Sequence, residues 1–253
     1  MKTVVIHPSY ASYTDFINRL PDIFHTQGET IYQGRNEIKV FDVNGVKLNV
    51  KKYKVPIYIN RLIYTFFRTT KAYRAYTYAL KLLARGIETP TPVAYIIFKR
   101  TGLIRQCYLI SLHSSYTHTM YEFGKGSLKG REWIIRSLAH YTAKLHDSGI
   151  YHKDFSPGNI LFQLSGDEVK FSLVDINRLQ FRRVSIKKGC ANFARLWGGD
   201  EMFRLIAQEY AVARHADRDD CIRWVLGYRK RFWRKYTRKY PMPFSVIPSP
   251  HHS

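Results

Sequence analysis

The stretch that decides the fold is Tyr151-His152-Lys153-Asp154-Phe155-Ser156-Pro157-Gly158-Asn159-Ile160-Leu161-Phe162. Ahead of it, apolar residues at helical spacing with a glycine just past the end predict a helix over 128–148. Behind it, the short apolar run 159–164 is typical of a strand. An aspartate and an asparagine, Asp154 and Asn159, therefore share one loop that joins a helix to a strand.

A second predicted strand follows and ends on another carboxylate. Residues 165–168 predict a turn, and residues 169–175 predict a strand whose last residue is Asp175. This order, with the spacing His-x-Asp-x-x-x-x-Asn, is the layout of a kinase catalytic loop and its metal-binding strand. Phosphoryl transfer requires a carboxylate to receive the hydroxyl proton and ligands for the metal on the phosphates. Alone, either aspartate would be a cap or turn residue; in this order they favour phosphotransfer.

The N-terminal part predicts a small antiparallel sheet. Residues 29–33, 37–43 and 46–54 read as strands, and Asn44-Gly45 is a hairpin signal. The tight turn Gly34-Arg35-Asn36 lies where a kinase places its phosphate-covering loop, so Gly34 and Arg35 are candidate nucleotide contacts, with a purely structural turn as the alternative. Further strands are expected at 93–98 and 106–112, followed by an adenine-contacting linker near 112–115.

Two lysines on the third of these strands are candidates for binding nucleotide phosphates. Alternation along the strand places Lys51 on the face opposite Val50, which favours Lys51. Lys52 stays open as the alternative because the register is uncertain by one residue. Both lysines would be ordinary solvated residues if the downstream motif were absent.

Helical patterns are expected at 59–85, 191–213 and 217–238. The start of the first, residues 57–68, is so aromatic and apolar that it fits either a membrane interface or packing under a neighbouring lobe. In the last, Phe232, Trp233 and Tyr236 interrupt a basic run, which favours binding to an anionic surface over aromatics packed on the lobe. The tail 241–253, with four prolines, is expected to be irregular.

Composition limits the class of protein and of partner. Lys plus Arg is 41 against 19 Asp plus Glu, a net charge of +22, and hydrophobic residues make up 45% of the 253-residue chain. This describes a globular protein with a polyanionic partner, which could be nucleic acid, an anionic membrane or a phosphate-rich substrate. The three cysteines lack the spacing of metal ligands and favour a reducing compartment. We expect neither a signal peptide nor a membrane span, so membrane association would be peripheral.

Several segments together resemble the lipopolysaccharide core kinases, which are the Kdo and heptose kinases of Gram-negative bacteria. The resemblance covers about 29–180 and is carried by the following segments: Val50-Lys51, Lys71-Ala-Tyr-Arg-Ala-Tyr, Gly86-Ile-Glu-Thr-Pro-Thr-Pro-Val-Ala, Leu145-His-Asp-Ser-Gly-Ile-Tyr-His152-Lys-Asp154, Asn159-Ile-Leu and Val174-Asp175-Ile-Asn-Arg178. It implies an α+β, two-lobed protein-kinase-like fold over 1–253. The small antiparallel-sheet N-terminal lobe would span about 1–112, and the mainly helical C-terminal lobe about 116–240.

The resemblance also implies roles for individual residues. Asp154, two residues after His152 in the motif, would be the catalytic base. Arg178 matches an arginine that follows the metal-binding aspartate in the family. Asn159 and Asp175 would bind Mg²⁺, and Lys51 would bind ATP. Two departures from kinase patterns stand out: Ala75 occupies the position of the glutamate that usually pairs with the strand lysine, and Ser156 stands where protein kinases have a lysine, which argues against a protein substrate.

These observations predict an ATP- and Mg²⁺-dependent kinase acting on a Kdo or heptose hydroxyl of Kdo-lipid A, or of a related anionic glycolipid, at the cytoplasmic face of the inner membrane. An aminoglycoside- or choline-type small-molecule kinase is one alternative. Such enzymes typically have acidic acceptor pockets for cationic substrates, which the net charge of +22 disfavours. A pseudokinase or nucleic-acid-binding module is the other, in which the excess charge serves only to bind a polyanion. Oligomeric state is left open by the sequence.

Overall fold

The computed structural model describes residues 1–54, 69–101, 103–124 and 128–244. The chain divides into two compact units, Met1–Ser115 and Tyr116–Ser253. The aromatic segment 57–68, for which an interfacial or packed position was expected, lies outside the described residues, as does the tail from 245 onward.

The first unit is a six-stranded sheet in which every neighbouring pair of strands is antiparallel, as the kinase-like fold predicts. Its elements are β1 (Lys2–Ile6), a 3-10 helix (Pro8–Tyr13), α1 (Thr14–Ile23), β2 (Glu29–Gln33), β3 (Glu37–Val43), β4 (Val46–Lys52), α2 (Lys71–Leu83), β5 (Pro92–Arg100) and β6 (Leu103–Leu112). The strand order is β1-β5-β6-β4-β3-β2. The predicted β3–β4 hairpin forms at Asn44-Gly45, where both φ angles are positive, at 55° and 79°.

Each face of this sheet has its own apolar core. On one face, α1 packs on Leu48 and Val50 of β4 through Phe16, Leu20 and, just after the helix, Phe24. On the other face, Ala72 and Tyr76 of α2 pack with Tyr53, Tyr95 and Cys107. Strand β4 thus contributes Leu48 and Val50 to the first core, and Tyr53, the residue just after the strand, belongs to the second. Consecutive residues of β4 therefore have different surroundings, which matters for Lys51 and Lys52.

The second unit is mainly helical and contains two small sheets, β10-β9-β7 and β11-β8. Its strands are β7 (His118–Thr119), β8 (Ile150–His152), β9 (Ile160–Ser165), β10 (Glu168–Leu173) and β11 (Leu179–Phe181). Its α-helices are α3 (Glu132–Asp147), α4 (Ile186–Cys190), α5 (Asp200–Ala213) and α6 (Arg218–Tyr236). Its 3-10 helices are Met120–Gly124, Pro157–Asn159, Ile176–Arg178 and Ala191–Arg195. Helix α3 packs on α5, and α5 packs on α6.

The continuous helix expected over 191–213 is wrong. Residues Ala191–Arg195 form a 3-10 helix, the chain then leaves helical geometry, and α5 begins only at Asp200. The chain leaves helical geometry at Leu196, which has extended φ and ψ angles of −66° and 152°, and Gly198 follows with φ 145°. Glycine is a poor helix former, so Gly198 and Gly199 do not favour a return to helix before Asp200.

The end of helix α6 separates its aromatic residues from most of its basic residues; the exception is Arg229, which is buried beside Phe203 and Phe244. Trp233 is buried against Phe244 at a ring distance of 5.0 Å, and Phe232 and Tyr236 are half-buried. The neighbouring cations are exposed: Arg231, Arg234, Lys235, Arg238 and Lys239. The aromatic residues thus pack on one another and on the second unit, and the exposed surface of this segment is basic. Among the described residues, no helix combines the length and the hydropathy needed to cross a bilayer.

Candidate active site

The catalytic loop, residues 152–159, is fastened to the residue that precedes Asp175. The backbone N–H of Val174 donates to the carbonyl oxygen of Asn159 at 3.0 Å. The carbonyl oxygen of Val174 lies 3.2 Å from Nε2 of His152. The backbone N–H and C=O of Val174 are therefore each hydrogen-bonded to one end of the loop. This places Asp154, Asn159 and Asp175, the three predicted reaction residues, around one junction.

His152 is a structural member of this junction. Its side chain is buried, and its Nδ1 accepts a hydrogen bond from the backbone N–H of Asp154 at 3.1 Å. With Nδ1 accepting, Nε2 must carry the proton that it donates to Val174, so the ring is neutral. Burial lowers the pKa of His152, which keeps it neutral at ordinary pH. The histidine of the motif thus orients the loop rather than exchanging protons.

Asn159 and Asp175 present groups that suit a hard cation. The amide Nδ2 of Asn159 donates to the backbone oxygen of Asp154 at 2.8 Å, which leaves its Oδ1 as the atom able to act as a ligand. Asp175 has left-handed backbone geometry, with φ 52°, and its Oδ1 accepts from Nδ2 of Asn177 at 2.7 Å. Non-glycine residues in this conformation concentrate at functional sites because the surrounding structure must hold them there.

The residues present fit Mg²⁺. This ion prefers oxygen ligands and is commonly held by one or two carboxylates together with substrate phosphates and waters. Asp175 and Asn159 supply one carboxylate and one amide oxygen, the pair that kinases use. Within the described ranges, no cluster of three or more His, Cys, Asp or Glu side chains could hold a metal by itself. The donor set therefore suits a cation that arrives with a nucleotide.

Two arginines flank the carboxylate of Asp154. Nη1 of Arg195 donates to Oδ1 at 2.8 Å, and Nη1 of Arg178 lies 3.7 Å from Oδ2. Arg178 was expected near the site. Arg195 was not, because it lies 41 residues from Asp154 along the chain and no local pattern marks it. The ring of Phe232 lies 5.2 Å from the Arg195 guanidinium carbon, a cation–π distance.

A buried polar chain supports the loop from behind. Nδ2 of Asn192 donates to the backbone oxygen of His152 at 2.8 Å, and its Oδ1 lies 3.0 Å from Nε2 of His146. Nδ1 of His146 is 2.7 Å from the hydroxyl of Tyr210, which accepts from Arg214 at 2.7 Å. The donors and acceptors alternate only if His146 is neutral, and burial lowers its pKa to about 4.

The first unit separates the two candidate lysines onto different faces of β4. Lys51 pairs with Leu109, which packs in the α2 core, and its Nζ lies 5.3 Å from the ring of Tyr53. Nζ of Lys52 lies 2.8 Å from Nε2 of His25, an exposed residue just after α1, and partial burial lowers the Lys52 pKa. The predicted alternation is thus confirmed, and Lys52 is occupied in packing. The phosphate-binding role of Lys51 stays a prediction.

Gly34 and Arg35 lie in the exposed turn between β2 and β3, where the sequence placed them. Tyr32 lies over Gly34, and a Cβ added to Gly34 would stand 2.7 Å from the Tyr32 hydroxyl. A larger residue at position 34 would therefore displace the exposed Tyr32 side chain. Ala75 is buried in α2, a helix without an acidic residue, so α2 offers Lys51 no carboxylate. The nucleotide contacts of Gly34 and Arg35 stay predictions.

An antiparallel-sheet unit followed by a helical unit with this loop, and with a strand that leads to Asp175, defines a protein-kinase-like fold. The chain belongs to the lipopolysaccharide kinase (Kdo/WaaP) family, whose model matches residues 25–199. No curated protein matches the sequence.

Among solved structures, the chain is similar to one described as WaaP in complex with acyl carrier protein, with a TM-score of 0.64 at 15% identity. The match covers 94% of this chain and 99% of the other. At this identity the similarity shows the fold, and it agrees with the fold class expected from the sequence. The partner in that structure is a protein, a class of partner that the sequence of this chain did not lead us to expect.

Replacing Lys51 by Gln should remove about half of the thermal stabilisation that ATP with Mg²⁺ gives the protein. A ligand at a hundredfold excess over its Kd stabilises by about 2.7 kcal/mol, and a tenfold loss of affinity removes about 1.4 kcal/mol of that. Lys52→Gln is the matched control on the opposite face of β4, and it should keep the ligand-induced rise in Tm. The reverse pattern would assign the nucleotide to Lys52.

Stability should fall in mild acid because His146 is neutral in the folded protein. The unfolded chain takes up a proton near pH 6.5 and the folded chain only near pH 4, so the free energy of unfolding decreases as pH falls through this interval. The loss attributable to His146 between pH 6.5 and pH 4.5 is about 2 kcal/mol. Urea titrations at pH 6.5, 5.5 and 4.5 measure it. His146→Gln should show a shallower decline than the wild type; parallel curves would contradict the assignment.

Proposed function

We propose that this protein is an ATP-dependent kinase that transfers the γ-phosphate to a sugar hydroxyl, of Kdo or heptose, in the inner core of lipopolysaccharide. The observation that carries the proposal is the attachment of both ends of the catalytic loop to Val174, which gathers Asp154, Asn159 and Asp175 at one junction. Membership of the lipopolysaccharide kinase family supplies the acceptor class.

The chemistry follows from what each side chain can hold. Asp154 accepts the proton of the acceptor hydroxyl and orients its oxygen toward the phosphorus. A carboxylate has about four lone-pair sites, so the contact with Arg195 leaves room for that hydroxyl. Lys51 offsets charge on the ATP phosphates. Mg²⁺, held by Asp175 and Asn159, would neutralise charge that develops on the transferred group. The serine at Ser156 fits a non-protein acceptor.

The surface of the second unit suits an acceptor embedded in a membrane. The exposed cations at the end of α6 and just after it form a basic surface on a chain with a net charge of +22. Cations near an anionic bilayer each contribute about 1 kcal/mol to binding, and the contribution is screened by salt. We place the enzyme on the inner face of the cytoplasmic membrane, bound peripherally, where ATP and a nascent glycolipid meet.

The test is phosphate transfer from ATP to purified Kdo-lipid A, with the product identified by mass. Wild type should form a product one phosphate heavier. Asp154→Asn should lower turnover by at least about a hundredfold, the typical contribution of a general base, while Asp219→Asn, an exposed aspartate of α6, should stay active. Turnover should be faster in anionic than in zwitterionic vesicles and more sensitive to salt.

Other outcomes identify the competing functions. Phosphorylation of a soluble aminoglycoside or choline, without activity on the glycolipid, would make the protein a small-molecule kinase. Binding of anionic vesicles or nucleic acid without stabilisation by ATP and Mg²⁺ would make it a pseudokinase or polyanion-binding module. Full turnover by Asp154→Asn would remove the proposed base.

A further inference from the structure

Positive charge exceeds negative charge at the carboxylate of Asp154. Arg195 and Arg178 both lie within 4 Å of this single carboxylate, so the group carries two guanidinium ions against one anion. Both arginine side chains are substantially exposed, at 41% and 55%, whereas that of Asp154 is 22% exposed. An acceptor hydroxyl that reaches Asp154 therefore arrives beside a surplus cation. An anionic group on the same acceptor would be met by that charge.

Arg195 is held in a fixed orientation that leaves donors for a ligand. A guanidinium has five N–H donors, and among the described residues Asp154 is the hydrogen-bond partner of Arg195 through Nη1. The Phe232 ring lies 5.2 Å from its guanidinium carbon and supports it on the side of α6. A planar, preorganised guanidinium beside solvent is the group that binds carboxylates in a bidentate manner. Arg195 can thus contact an acceptor carboxylate and remain near Asp154.

An aromatic platform lies against the same loop. The ring of Tyr121 packs directly on Gly158, where an added Cβ would stand 2.6 Å from it. Tyr121 is 46% exposed and contacts Trp197 at a ring distance of 4.6 Å, and Trp197 follows Arg195 by two residues. Exposed aromatic rings bury the apolar face of a sugar while their surroundings hydrogen-bond its polar edge. The catalytic loop therefore has an aromatic surface and a cation at its exposed side.

We propose that Arg195 is the specificity-determining residue for the acceptor: it binds a carboxylate on the sugar that is phosphorylated, while Tyr121 and Trp197 contact the sugar ring. The acceptor is therefore a sugar acid, Kdo, and not a neutral heptose. This rests on the proposed kinase function. When the acceptor binds, Arg195 moves part of its hydrogen bonding from Asp154 to the acceptor, which frees Asp154 for the hydroxyl.

The experiment compares Kdo-lipid A with the same glycolipid whose Kdo carboxylates are methyl esters. A charge-assisted hydrogen bond is worth enough to change affinity by about ten- to a hundredfold, so wild type should prefer the acid by that factor in kcat/KM. Arg195→Gln should lose this preference mainly through KM for the acid, and Arg195→Lys should restore part of it. Arg204→Gln, which removes an exposed arginine from α5, should keep the wild-type preference.

Binding without turnover separates this proposal from the kinase function. Calorimetric titration of Asp154→Asn should show tighter binding of the acid than wild type does, because the competing carboxylate is gone, and unchanged binding of the ester. Equal use of acid and ester by wild type would overturn the proposal and leave the kinase function standing. An equal loss of kcat/KM on both acceptors in Arg195→Gln would also overturn the proposal, because it would show a purely structural role for Arg195. If neither acceptor is phosphorylated, the Kdo kinase function fails, and the titration alone decides whether Arg195 binds a carboxylate.

Discussion

The candidate site depends on the backbone of Val174. Its N–H is hydrogen-bonded to Asn159 and its C=O to His152, at the two ends of the catalytic loop. A buried backbone group without a partner costs about as much as a lost hydrogen bond, so this arrangement satisfies the strand end and positions the loop at once. It also requires a neutral His152, since one ring nitrogen must accept while the other donates. Asp154, Asn159 and Asp175 are brought together as a consequence of these backbone bonds.

The polar groups around this junction differ in charge and in the ligand that each could bind. Asp175 and Asn159 offer oxygen to a cation, and the two arginines surround Asp154 with positive charge. Behind the loop, Asn192, His146 and Tyr210 form a buried chain that carries no formal charge at neutral pH. The two arginines are partly exposed, so their attraction for an incoming anion should weaken as salt is added. The basic surface of α6 extends the same sign of charge along the second unit.

Local patterns predicted the parts of the structure that are local. The catalytic loop, the strands around it and the β3–β4 hairpin follow from short spacings, and alternation along β4 separated Lys51 from Lys52. Arg195 and Asn192 could not be found in this way, since they reach the loop from about 40 residues away. The helix expected over 191–213 is interrupted because apolar spacing gave no sign of the extended segment that begins at Leu196 and includes Gly198 and Gly199. Strand β1 and helix α1 were not anticipated, and α1 contains Pro21, which obscures its pattern.

Calorimetric titration of ATP with Mg²⁺ into wild type and Asp175→Asn is the most direct measurement of whether this junction is a nucleotide site. Asp167→Asn, in the exposed turn between β9 and β10, is the matched control. We expect wild type and Asp167→Asn to bind equally in a Mg²⁺-dependent manner, and Asp175→Asn to bind at least about tenfold more weakly, the loss expected for one charged ligand. Unchanged Mg²⁺-dependent binding by Asp175→Asn would contradict the assignment of the junction as the metal–nucleotide site.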